Sequence, residues 1–188
     1  MSTLNELPVN LPVPVDDGAA DHLVGEPVPH LRLRSTSGET IDIGELSDGR
    51  TILYCYPMTG RPGVAQPPGW DEIPGARGCT TEACDFRDHY QELLRAGAGA
   101  VFGVSSQEST YQREAVERLH LPFAMLSDEA LEIAESLRLP TFVAGGRRLF
   151  TRLTLIIRDG QVEHAFYPVF PPNEHGAEVL AWLRQHQL

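Results

Sequence analysis

Apolar and polar positions change period along this chain, and each change marks an element. "PVPHLRLRSTSGETIDIGEL" alternates at Leu31 and Leu33, turns at Ser37-Gly38 and alternates again at Ile41 and Ile43, which predicts a hairpin. "RTILYCYP", Arg50 to Pro57, is a continuous apolar run rich in strand formers and closed by proline, as expected of a central strand buried on both faces. From Cys79 the apolar residues Ala83, Phe86, Tyr90, Leu93 and Leu94 recur at helical spacing, and Gly97 with Gly99 supplies the stop. "AVFGVSS" reads as a second buried strand, "TYQREAVERLHL" as a helix and "FAMLS" as a short strand. "DEALEIAESLRL" reads as a helix capped by Asp128 or Ser127. "RRLFTRLTLIIRDGQVEHAFYPV" then predicts two strands joined by "RDGQ", because Asp-Gly is a strong hairpin signal, and "NEHGAEVLAWLRQHQ" predicts a closing helix. Strands alternating with helices, then a hairpin and a helix, imply an α/β domain with a mixed central sheet and helices on both faces, thioredoxin-like in outline.

Two stretches have neither period. Residues 1–22 hold three prolines among small and acidic residues and predict an extended arm or tail ahead of a domain at 23–188. Residues 58–77, within "MTGRPGVAQPPGWDEIPGARG", are dense in Pro and Gly, and a loop of that length inside a compact domain is usually functional or disordered.

Composition narrows the classes. The 188 residues, 41% hydrophobic and 22% charged, suit one soluble domain, and the longest apolar runs are strand-length, so no membrane association is expected. A net charge of -11 argues against nucleic acid or anionic lipid as partner. No positively charged segment precedes an apolar run at the N-terminus, so the cytoplasm is the expected compartment. Three cysteines are too few for a disulfide framework, and in a reducing compartment a close pair is more often catalytic or metal-binding. The histidines at 22, 30, 89, 120, 164, 175 and 186 form no ligand spacing, so no metal is expected.

The close pair is in "GCTTEACDFRD". Cys79 falls at the first turn of the expected helix, where unpaired N–H groups and the helix dipole favour a thiolate, with Gly78 permitting a tight turn and Thr80 and Thr81 offering hydroxyls. A pKa drawn toward neutrality and a nucleophilic sulfur follow. In an intact helix Cys84 lies about 8.5 Å away by rise and radius, beyond the roughly 7 Å limit for a disulfide. The pair bonds only if the first turns unwind, so one sulfur reacts and the other captures its product; the competing reading makes Cys84 a buried core residue. Cys55, inside a buried strand, reads as inert packing.

In order, "VGEPVPHLRLRSTSGETIDIGEL", "YCYPMTG", "GCTTEACDFRDHYQELL", "VFGVSSQ", "LPFAMLSD" and "RLTLIIRDGQVEHAFYPV" resemble the peroxiredoxins, most closely the bacterioferritin comigratory protein (peroxiredoxin Q) branch, from about Val24 onward. The resemblance implies the peroxiredoxin elaboration of the thioredoxin fold. It also implies a peroxidatic Cys79, a resolving Cys84, an active-site proline at Pro57 and a thiolate-stabilising arginine at Arg152, with Arg77, Arg147 and Arg148 as competitors for that place. The chain departs from the pattern at Ala76, where the family carries a hydroxyl, and in the long insertion between Pro57 and Cys79 that carries Trp70. Thr59 is the candidate replacement hydroxyl. The activity implied is a peroxidase acting on hydrogen peroxide or organic hydroperoxides without metal, haem or flavin, recycled by a thioredoxin-like dithiol, in a monomer or homodimer. The alternative is a redox sensor or binding module with the same disulfide switch and little turnover.

Overall fold

The computed structural model describes residues 6–46 and 49–187; residues 1–5 of the expected arm lie outside the described residues. Strands β1 (Arg32–Ser35), β2 (Thr40–Asp42), β3 (Arg50–Cys55), β4 (Ala98–Ser105), β5 (Met125–Ser127), β8 (Leu153–Arg158) and β9 (Gln161–Phe166) form one sheet in the order β2-β1-β5-β4-β3-β8-β9. Pairs β3–β4 and β4–β5 are parallel and the others antiparallel. The α-helices among the described residues are α1 (Cys79–Arg95), α2 (Ser109–Leu119), α3 (Glu132–Leu137) and α4 (His175–Gln185).

Side chains alternate across a strand, and β3 shows why its apolar run is unbroken. Ile52 and Tyr54 enter one core with Ala83 and Phe86 of α1, Ala115 of α2 and Leu180 of α4. Leu53 and Cys55 enter a second core on the other face, with Ile133 and Leu137 of α3 and with Leu23 and Leu33. Helices thus cover both faces of a mixed sheet, as the element order predicts.

Two elements differ from the sequence reading. Arg147–Phe150 is not the start of β8: it forms β7, which pairs antiparallel with β6 (Thr141–Ala144) in a separate hairpin turned by Gly145 and Gly146. The chain leaves that hairpin at Thr151, whose N–H donates to the Pro140 carbonyl, and re-enters the main sheet at Leu153. Arg152 falls in the break, free of either ladder. α3 is also shorter than its apolar pattern suggests, because Asp128 accepts from the N–H groups of Glu132 and Ile133 and sets the start there.

The inserted 58–77 segment is packed rather than loose. It holds a short 3₁₀ turn at Trp70–Glu72, and Trp70, Met58 and Ala76 form a small third core with Ala144 and Leu149 of the β6–β7 hairpin. The arm, without helix or strand over its described part, joins the body through a Tyr167 hydroxyl bond to Asp17 and a His22–Leu137 carbonyl bond.

Candidate active site

Cys79 opens α1, and Gly78 ahead of it has φ 110°. That left-handed backbone suits glycine. A Cβ there would also lie 2.3 Å from Pro172 Cγ, so the turn presenting the sulfur tolerates no larger residue. The Glu82 N–H and the Thr81 hydroxyl both donate to the Gly78 carbonyl, which closes the first turn.

Arg152 reaches this turn from the gap before β8. Its Nη2 donates to Cys79 Sγ at 3.2 Å and to the carbonyls of Ala76 and Arg77 at 3.2 and 3.3 Å, while Nε donates to the Gly75 carbonyl at 3.2 Å. Its Nη1 is bound to Glu82, and both side chains are buried. A planar fork with several fixed donors is what a guanidinium supplies and an ammonium does not. Of the competitors, Arg147 and Arg148 are exposed on β7, with Arg148 paired to Glu135. Arg77 is ion-paired with Asp71 and lines the pocket over Cys79.

Glu82 is the residue the sequence reading passed over. It sits on the buried face of α1, one turn after Cys79, and a fully buried carboxylate needs a cationic partner. That misplaced charge among Ala83 and Phe86 was the available signal. Burial raises the Glu82 carboxyl, and Arg152 first, then His175, draw it back. His175 is itself buried, bonded to the Thr154 hydroxyl and to Glu178 at 2.8 Å each.

The Cys79 thiol departs from expectation. In this closed pocket burial pushes it above the ordinary thiol value, opposed chiefly by the charge of Arg152 and also by the Met58 backbone N–H, while Glu82 adds to the rise. Arg152 and the helix start are in place, the Thr81 hydroxyl is instead given to the Gly78 carbonyl, and the desolvation of a residue only 4% exposed outweighs what remains. Cys84 is half-buried on the same intact helix, beside Arg87, and all three cysteines are free. Burial holds the Cys55 thiol far above its usual range, as suits inert packing.

Pro57 is buried just past β3. Thr59 is buried and bonded to Gln107. Its N–H and hydroxyl both donate to Gln107 Oε1, whose amide returns a bond to the Thr59 carbonyl, so the hydroxyl is committed to pinning the strand exit. Ala76, fully buried, offers the sulfur only its carbonyl, at 3.7 Å. The space over Cys79 is about 10 Å³, walled by Met58, Gly60, Gln66, Trp70, Arg77 and Thr80. Gln66, Trp70 and Arg77 also wall an outer cavity of about 360 Å³, so the insertion stands between the sulfur and solvent. Among the described residues, the grouping of possible metal ligands is His30, Asp42 and Glu45, at the β1–β2 hairpin; exposed groups of this kind are common without an ion.

Residues 23–180 match the Redoxin family model. The chain is 28% identical over 163 residues to the chloroplastic peroxiredoxin Q of Oryza sativa subsp. japonica; this covers 85% of the chain but 66% of the relative, just under two thirds of its length. It is 29% identical over 171 residues to peroxiredoxin Bcp of Escherichia coli, covering 86% of the chain and 96% of the relative. The crystal structure of peroxidoxin BcpB from Mycobacterium tuberculosis superimposes with a TM-score of 0.71 at 26% identity, over 89% of this chain and all of that one, which shows the thioredoxin-like fold in its peroxiredoxin form. With a family match running nearly the length of the domain, the chain belongs to the redoxins, and its similar relatives are peroxiredoxins of the Q and Bcp kind.

Proposed function

We propose that this protein is a thiol-dependent peroxidase acting on hydrogen peroxide or organic hydroperoxides, with Cys79 as the peroxidatic and Cys84 as the resolving cysteine. The observation that carries it is the Arg152 guanidinium 3.2 Å from the sulfur of a helix-opening cysteine in a pocket of about 10 Å³. The Cys79 thiolate attacks the terminal peroxide oxygen, the O–O bond breaks, and the leaving oxygen departs as an alkoxide or hydroxide that takes a proton to become alcohol or water. Arg152 stabilises the charge on the sulfur beforehand and on the leaving oxygen as it forms. The Cys79 sulfenic acid then condenses with the Cys84 thiol to a disulfide with loss of water, after the first turns of α1 unwind. A thioredoxin-like dithiol returns both sulfurs to thiols, which suits a reducing compartment such as the cytoplasm; the rice relative is named as chloroplastic. Among the described residues, no helix is long and apolar enough to cross a membrane.

Peroxide-dependent NADPH oxidation coupled through thioredoxin and its reductase tests the reading. Sustained turnover that disappears in Cys79→Ser is the expected result. A disulfide that forms once without turnover would make the protein a redox switch, and turnover that survives in Cys79→Ser would remove Cys79 from the chemistry.

A further inference from the structure

The groups fixed around the Cys79 sulfur are mostly donors: Arg152 Nη2 and the Met58 backbone N–H. A hydroperoxide brings two oxygens that accept and, on the terminal oxygen under attack, an O–H that must itself donate, and a buried donor without an acceptor is costly. The nearby carbonyls of Gly75, Ala76 and Arg77 already accept from Arg152. Ala76 has no side-chain oxygen, and the Thr59 hydroxyl is bound to Gln107.

One acceptor in the pocket wall stands unused. Gln66 lines the same small cavity as Cys79, and its Oε1 is buried without a hydrogen-bond partner. Buried polar atoms are nearly always satisfied, and one that is not, on a residue lining the cavity of a reactive sulfur, marks a place that a ligand completes. Gln66 is carried by the inserted segment, and Trp70 of that segment is anchored against the β6–β7 hairpin, with its ring 6.1 Å from that of Phe142. The wall bearing Gln66 therefore rests on a fixed support.

We propose that Gln66 is a further catalytic residue of the peroxidase: its amide carbonyl accepts the O–H of the bound hydroperoxide and turns the terminal oxygen toward Cys79. The O–H accepted is the one on the terminal oxygen, which remains as the hydroxyl of the sulfenic acid, so Gln66 gains and loses no proton. Arg152 is then left to face the sulfur and the departing oxygen. The inference rests on the peroxidase reading above.

The test compares two electrophiles on the reduced full-length protein. Hydrogen peroxide needs its O–H accepted; iodoacetamide reacts with the same thiolate and has no hydroxyl. Gln66→Met keeps the bulk of the wall and removes the acceptor. Its rate constant with hydrogen peroxide, followed by tryptophan fluorescence in a stopped-flow instrument, is expected to fall ten- to a hundredfold, with alkylation by iodoacetamide within twofold of the parent. A peroxide rate within twofold of the parent would overturn the assignment. Equal losses with both reagents would also overturn it, by making Gln66 part of the packing. Thr80→Val, measured alongside, reports on the neighbouring hydroxyl, and a peroxide-selective loss there with none in Gln66→Met would move the acceptor to Thr80. A parent protein that alkylates but does not react with peroxide would instead sink the peroxidase reading and this inference with it.

Discussion

Replacing Arg152 with methionine is the perturbation whose size the structure sets most directly. The residue is 2% exposed, and its guanidinium is shared among Cys79 Sγ, Glu82 and the carbonyls of Gly75, Ala76 and Arg77. Arg152→Met keeps the aliphatic stem and strands Glu82, whose carboxylate is fully buried. Breaking one partner from a buried ion pair costs about 3–5 kcal/mol, a large part of the roughly 5–15 kcal/mol that holds a domain together. For a chain of this length that is a drop in Tm of roughly 6–20 °C. The loss carries a pH signature. Burial already holds the Glu82 carboxyl above 4.5, and without Arg152 it rises further. A carboxyl with a folded pKa above its unfolded value contributes stability below the unfolded value and loses it as pH rises through the folded one. The deficit of Arg152→Met is therefore largest at neutral pH and narrows toward pH 4.5. The double variant Arg152→Met/Glu82→Leu removes both charges and recovers most of the stability, since an apolar pair often replaces a buried ion pair without cost, yet it reacts no faster with peroxide than the single variant. Urea unfolding of the reduced proteins across pH, with stopped-flow peroxide rates, measures all three. A loss under about 1 kcal/mol in Arg152→Met, or a double variant no more stable than the single one, would refute the buried pair as the site's foundation.

Other outcomes follow from the same geometry. Cys84→Ser should complete one peroxide turnover and then accumulate sulfenic or higher acids by intact mass, whereas Cys55→Ser should turn over like the parent while losing about 1–3 kcal/mol of stability, its side chain being in the second core. Arg152→Met should also shift the Cys79 thiol titration upward, because the charge of Arg152 is the largest influence holding it down; alkylation rate against pH reads this. Arg50 binds Glu163 through both Nε and Nη2 and holds its carboxyl below 4.5. Glu163→Gln should therefore be less stable than the parent at pH 7, with the gap persisting down to about pH 4.5 and closing as pH falls through the folded value of the carboxyl, as thermal melts over that range would show. Amides from Gly78 to Phe86 should exchange faster in the oxidised than in the reduced protein, and equal protection in a protein with a confirmed Cys79–Cys84 disulfide would contradict the unwinding.

The layout was legible where local chemistry and packing agree. The unbroken apolar run at Arg50–Cys55 announced burial on both faces, and Asp159-Gly160, both with positive φ, turn the β8–β9 hairpin that "RDGQ" predicted. Gly78 followed by Cys79 gave the helix start. The β6–β7 hairpin was hidden although Gly145-Gly146 is a turn signal, because two arginines and Phe150 ran on into the apolar stretch of β8 and resembled one strand. The destination of Arg152 was legible from its family context alone; nothing in "TRLTL" says that the ladder breaks there. The bond of the Thr59 hydroxyl to Gln107 was not legible because its partner lies far along the chain. Gln66 carries no local sign at all, since its place depends on how Trp70 anchors an aperiodic segment.

The position of Glu82 ties these parts into one cycle. It lies between Cys79 and Cys84, so no unwinding that joins the two sulfurs can leave it where it is. Its N–H supplies the first bond of the helix to Gly78, and its carboxylate fills the inner side of the Arg152 fork. In the proposed cycle, bringing Cys84 to Cys79 breaks that bond and draws the carboxylate away, which leaves a buried guanidinium facing a neutral disulfide in place of a carboxylate and a thiol that the guanidinium helps to ionise. Its carboxylate partner is thus lost in the oxidised form of that cycle and restored in the reduced one. Buried charge is tolerated only when paired, so the free energy of the Arg152–Glu82 pair is linked to the redox state and favours reduction of the disulfide. On the proposed roles of Cys79 and Cys84 the same pair therefore opposes accumulation of the oxidised product, and a Glu82→Gln variant, keeping shape and losing charge, is expected to weaken that opposition by making the disulfide harder to reduce.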